Sequence, residues 1–124
     1  MRLSYCAEQL RRFDRERYLI ALFAPAGRRE ALFALYAANL EIARTREATR
    51  TPETGLIRLQ WWRDALDELY AGRRRQHPVI EALVPSIPAL TRGLWDRLID
   101  ARERDLEPEP FATLDEMIAY AVAT

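Results

Sequence analysis

Residues Arg28 to Glu47 read RREALFALYAANLEIARTRE, and this stretch decides how the rest of the chain is understood. Its apolar residues return at helical spacing, and Leu32, Leu35, Tyr36, Ile42 and Ala43 share one leading face. At roughly 100° per residue, Asn39 and Arg46 fall in the middle of that face. A buried amide and a buried guanidinium need partners, so the helix is expected to face a polar cavity or a neighbour bearing carboxylates. Glu41 falls on the opposite side, with Ala34, Ala37 and Ala38.

Outward from this stretch, helical periods dominate and strand signals are almost absent. The spacing predicts helices over Ser4 to Phe13 and from Asp14 to Phe23. Pro25 then opens the long helix, which runs to about Ala48. Thr49 to Gly55 reads as a loop. Leu56 to Ala71 is a strongly amphipathic helix closed by Gly72. A polar connection, Arg73 to Pro78, leads to a short helix over Val79 to Val84. Pro85 and Pro88 precede a helix from about Ala89 to Leu106, which Pro108 and Pro110 end. Thr113 to Glu116 (TLDE) is a capping box for a last helix ending at Thr124.

The chain has 124 residues, 49% of them hydrophobic, enough for one small globular domain and not for two. Its 19 acidic and 19 basic residues cancel, which argues against a nucleic-acid binder. Every basic residue is arginine, as a GC-rich coding sequence would give, and none is lysine. The single cysteine, Cys6, cannot form an internal disulfide, and no Cys/His spacing suits zinc. No run reaches transmembrane length, and the N-terminal segment has no apolar core of a signal peptide. The expected location is cytoplasmic, with a peripheral contact at the inner face of the membrane left open.

Two further polar residues stand where apolar ones are expected. Arg58 lies among Leu59, Trp62, Ala65, Leu66 and Leu69, and Asp105 lies among Leu94, Leu98 and Ala101. Buried charges pair, so Asp105 is expected to meet Arg58 or Arg46 across the core, a pairing read first as fixing helix register and second as part of a substrate cavity. Asp96, Arg97, Asp100, Glu103 and Arg104 read as a solvated side. Trp62 is read as core. Trp61 projects with Ile57 toward the polar side and needs a cover, either the first two helices or another surface. His77 has no acid or nucleophile at a telling spacing, and Arg28 and Arg29 read as surface residues.

ALFAPAGRREALFALYAANLEIA resembles the opening of the squalene/phytoene synthase family, whose active members join two prenyl diphosphates head to head. The resemblance implies an all-α fold, the N-terminal part of an isoprenoid-synthase-type bundle spanning residues 1–124. Family domains are more than twice this length, so the chain is expected to be the N-terminal portion of one domain and inactive by itself. In active members this helix carries Asp-x-x-x-Asp, and carboxylates at i and i+4 share a face that can hold Mg²⁺ against a diphosphate. Here the two motif positions are Asn39 and Ala43, neither of which supplies a carboxylate. The place of Asp105 is similar to that of a family aspartate near the substrate.

Three segments resemble a non-catalytic branch that includes the mitochondrial assembly factor for respiratory complex I. They are Asn39-Leu40-Glu41, the run from Gly55 through Arg58 to Trp61 and Trp62, and, more loosely, Glu103-Arg104-Asp105-Leu106. That likeness implies no catalytic or metal-binding residue in this chain and contacts with complex I subunits or membrane lipid. Asn39, Ala43, Arg46, Arg58 and Asp105 would be remnants of the substrate cavity, with its arginines turned toward diphosphate. The alternative is a head-to-head prenyltransferase acting on farnesyl or geranylgeranyl diphosphate, with Mg²⁺ held by groups outside this chain. A helical interaction module is what remains if the resemblance is set aside.

Overall fold

Eight α-helices and two short 3-10 turns make up the computed structural model, which describes residues 2–107 and 110–124. No strand occurs among the described residues. Helix α1 (Tyr5–Phe13) starts where the Ser4 hydroxyl accepts from the Ala7 amide at 3.2 Å. Asp14 ends α1, with its own amide on the Leu10 carbonyl, and caps α2 (Arg15–Leu22) by accepting from the Arg17 amide. Pro25 stands just before α3 (Ala26–Ala43) as its N-cap.

The long helix is shorter than the sequence suggests. It breaks at Arg44, and a separate turn, α4 (Thr45–Ala48), follows. Thr45 is buried and donates its hydroxyl to the Ile42 carbonyl at 2.8 Å, closing the helix end with a side chain that competes with the backbone ladder. Helix α5 (Pro52–Tyr70) begins earlier than expected. Thr51 and Thr54 exchange side-chain and backbone hydrogen bonds in a capping box, and Pro52 takes the tolerated first position. It ends at Gly72, whose φ of +88° suits glycine.

Helix α6 (Pro78–Leu83) is capped by His77, whose Nδ1 accepts from the Val79 amide at 3.1 Å. A 3-10 turn (Val84–Ala89) leads to α7 (Arg92–Glu103), a second one (Arg104–Leu106) ends it, and α8 (Leu114–Ala123) follows. The expected helix from Ala89 is thus confined to α7, and Pro108, read as part of its end, lies outside the described residues. The TLDE capping forms in part: the Thr113 hydroxyl accepts from the Glu116 amide, while the Glu116 carboxylate reaches the Ala112 amide.

Helix α3 is the centre of the bundle, packed against α1, α2, α6 and α7. The face it buries is not the leucine face. Ala34, Ala37 and Ala38 are fully buried together with Phe33 and Ile42, whereas Leu32, Leu35, Tyr36, Asn39 and Ala43 are only half-buried. Methyl-sized side chains let the α1 and α6 backbones come close, and Cys6, Ala7, Leu10, Val79, Ile80 and Leu83 fill the seam. Burial pushes the Cys6 thiol up to about 11, with smaller contributions from Glu30 and Glu41, so at neutral pH it is held as an unreactive thiol.

The other half of the core joins α5 to α7. Leu59, Trp62, Leu66 and Leu69 meet Trp95, Leu98 and Ile99. The Trp95 indole donates to the Tyr70 hydroxyl, which donates in turn to the Leu90 carbonyl at 2.9 Å. Gly55 is buried where a Cβ would stand 2.6 Å from the Leu106 side chain, so the turn after α7 rests directly on the start of α5.

Candidate functional site

Asn39 projects from the half-buried side of α3 into a cleft of about 380 Å³ walled by α2, α3, α7 and the end of α8. Leu35, Leu94, Trp95 and Leu98 supply apolar walls, and Arg17 is the charged residue of the lining. The Arg17 guanidinium lies over the Tyr36 ring at 5.5 Å and 3.6 Å from the Asp14 carboxylate. Ala43, one turn on, is outside that lining. In place of the expected polar cavity or carboxylate-bearing neighbour, the cleft that Asn39 faces is mostly apolar, and no carboxylate lines it among the described residues.

A divalent ion bridging a diphosphate needs hard anionic oxygens. Around Asn39 the lining offers one amide, one phenol and a fixed positive charge, and no carboxylate among the described residues. This donor set does not fit Mg²⁺. Elsewhere too, no group of three His, Cys, Asp or Glu side chains is placed to share a metal among the described residues.

Glu41, on the opposite side of α3, gathers three elements. Tyr5 donates its hydroxyl to one carboxylate oxygen at 3.4 Å, and Arg58 and His77 approach the other at 3.6 and 4.0 Å. Arg58 also donates to the Glu41 carbonyl at 3.3 Å. Burial and then the Glu41 charge raise the Tyr5 pKa. Trp61 stands edge-on to Trp62 and 5.4 Å from the His77 ring, with the Arg75 guanidinium over it at 5.3 Å. Its cover is thus the loop before α6 and not the first two helices.

The expected pairing of Asp105 with Arg58 or Arg46 does not form. Arg58 is taken by Glu41, and the break at Arg44 leaves Arg46 exposed, although it borders one shallow pocket with Asp105. The 3-10 turn rotates Asp105 off the buried face of α7. There it pairs with Arg102 at 3.2 Å and accepts the Tyr120 hydroxyl from α8, while Arg102 donates to the same hydroxyl at 2.8 Å. This triad latches α8 onto the end of α7.

The latch has an alkaline limit. Burial first, and then the hydrogen bond to Asp105, raise the Tyr120 pKa above its ordinary 10.0, against an opposing pull from Arg102. A pKa higher in the folded than in the unfolded chain gives stability that is complete below the unfolded value and lost as pH rises through the folded one. Tyr120→Phe is expected to abolish that alkaline loss and to cost about 1–2 kcal/mol at neutral pH, as measured by urea unfolding across an alkaline pH series.

Sequence reasoning missed Arg63. Its guanidinium reaches Asp100 at 2.6 Å, Glu103 at 2.7 Å and Asp96 at 3.8 Å. Arg92 extends the clamp to Asp67, to Asp96 and to the Arg63 carbonyl. Burial pulls the Arg63 pKa down, but the hydrogen bonds to Glu103 and Asp100 outweigh it and the net direction is up. The side of α7 read as solvated is therefore the ionic seam with α5. The i, i+4, i+7 spacing of its three acids was the available signal.

A model of the squalene/phytoene synthase family matches residues 10–124. The chain is 34% identical over 122 residues to a Bos taurus protein and 32% identical to its Homo sapiens counterpart, both named "NADH dehydrogenase (ubiquinone) complex I, assembly factor 6". Each match covers 97% of this chain and 37% of the relative. A Drosophila melanogaster homolog of that factor is 28% identical over 129 residues, 98% of this chain and 38% of its own length. The chain thus spans little more than a third of the curated relatives it matches. No solved structure matches. The match over nearly the whole chain, on an all-α bundle centred on α3, makes this chain a member of the squalene/phytoene synthase family.

Proposed function

We propose that the protein acts as a non-catalytic assembly or binding factor; the similar proteins are named assembly factors of complex I. The observation that carries this reading is the cleft at Asn39: its lining has no carboxylate among the described residues, and a metal holding a diphosphate would need such hard anionic ligands. Work done by such a protein is binding, with complex I subunits or membrane lipid as partners. A cytoplasmic chain, peripheral to the inner face of the membrane, agrees with this, and no helix among the described residues is long and apolar enough to cross a membrane. Pseudoenzyme describes this reading.

The alternative is a head-to-head prenyltransferase making a squalene- or phytoene-type product. Family membership and the apolar walls of the cleft favour it, and it requires Mg²⁺ ligands from outside this chain. Mg²⁺-dependent diphosphate release from farnesyl and geranylgeranyl diphosphate by the full-length protein separates the two. None is expected from the natural sequence, and release above the no-enzyme rate would overturn the binding-factor reading. Activity appearing only with Asn39→Asp and Ala43→Asp together would show that those two positions alone withhold the chemistry.

A further inference from the structure

Helix α2 is turned inside out. Fully buried Ala21 marks its inner side. On the far side Arg15, Leu19 and Phe23 form an i, i+4, i+8 row, with Ile20 and, one turn before it, the exposed Glu16 beside it. Leu19 is 44% exposed, Ile20 57% and Phe23, at the last turn of the helix, 90%. Three large apolar side chains on one outward face of an eight-residue helix form a patch that needs a reason.

The corner that carries them is built firmly. Arg29, from the first turn of α3, donates to the Leu22 carbonyl at 3.0 Å and the Ala24 carbonyl at 3.4 Å, closing the end of α2. Tyr18 stacks on buried Phe33 at 5.7 Å. Phe23 is therefore held out by a fixed backbone and does not dangle from a loose one.

The charges around it have one sign in excess. From Arg12 to Glu30 there are five arginines and three carboxylates, in a chain whose total charge is zero. Arg12, Arg15 and Arg28 form no ion pair among the described residues. The Arg12 guanidinium lies over the ring of Phe13, itself another exposed aromatic.

We propose that this α2–α3 corner is a membrane-docking wedge for a bilayer containing anionic lipid. Leu19, Ile20 and Phe23 enter the boundary between headgroups and acyl chains, and Arg12, Arg15 and Arg28 meet lipid phosphates. A lipid surface fits better than a protein groove because Phe23 stands clear of its surroundings, and a fluid bilayer needs no matching concavity. Ile20 also lines the Asn39 cleft, so the inner edge of the wedge is a rim of that cleft. The proposal names the surface for the lipid contact in the binding-factor reading. It is tested apart from that reading, because vesicle binding and diphosphate release are separate measurements.

The experiment is co-sedimentation of the full-length protein with phosphatidylcholine vesicles, with and without phosphatidylglycerol. Binding is expected only with phosphatidylglycerol, weakened by added salt. Phe23→Asp should weaken it about tenfold or more. Leu114→Asp, at another exposed apolar site, on α8, should leave it unchanged. Because Phe23 is exposed, its replacement leaves the core intact, which circular dichroism checks. Absence of sedimentation, equal sedimentation of Phe23→Asp, or equal loss from Leu114→Asp would each overturn the proposal. So would loss of a dimer in Phe23→Asp without any vesicle binding, which would assign the corner to protein contact.

Discussion

Ala34→Leu combined with Ala38→Leu is expected to remove about 2–6 kcal/mol of unfolding free energy, enough to leave a small domain partly or wholly unfolded when the total is about 5–15 kcal/mol. Both alanines are fully buried, one turn apart, in the seam where α1 and α6 approach α3. Each leucine adds three carbons at a fully buried position of the helix that packs against α1 and α6, so neighbours must shift or leave their preferred rotamers. Urea unfolding followed by far-ultraviolet circular dichroism measures the effect. The control is Leu32→Ala with Leu35→Ala, which removes larger side chains from the half-buried face. If the control were the more damaging pair, α3 would bury its leucine face after all.

Trp62→Ala should cost about 3–5 kcal/mol, the range for truncating a buried aromatic. Trp62 is 2% exposed and belongs to the core that joins α5 to α7. Its ring stands edge-on to Trp61 and to His77, at 5.2 and 5.5 Å, so its removal also undercuts the loop that leads into α6. Trp61→Ala, at a half-buried ring covered by Arg75 and His77, should cost about 1–2 kcal/mol. Equal losses from the two variants would mean that the loop, and not the core, carries the stability of this region.

The contrast between these neighbours was legible in the sequence, because Trp62 lies on the apolar stripe of α5 and Trp61 does not. So were the all-helical character and the Gly72 stop. The buried face of α3 was not. A wheel weighted by side-chain size favours leucine, whereas close helix packing favours alanine, and nothing local says which neighbour comes near. Asp105 was misplaced because the α-helical period was extended through a 3-10 turn, which rotates every following side chain. Arg46 was misplaced because Thr45 reads as an ordinary helical residue until its hydroxyl is seen on the Ile42 carbonyl. Arg63 was overlooked because charges that pair between helices look, along one helix, like a solvated side.

The two ionic devices on α7 differ in what undoes them. The clamp on Arg63 joins a guanidinium, which keeps its proton throughout, to three carboxylates and contains no phenol, so alkali leaves it closed. The latch at Tyr120 is the reverse: it holds while the phenol keeps its proton and opens in alkali, when a phenolate would face Asp105. One helix is thus fastened to α5 by bonds indifferent to alkali and to α8 by a bond that alkali opens. Alkali would therefore free the tail and leave the seam in place.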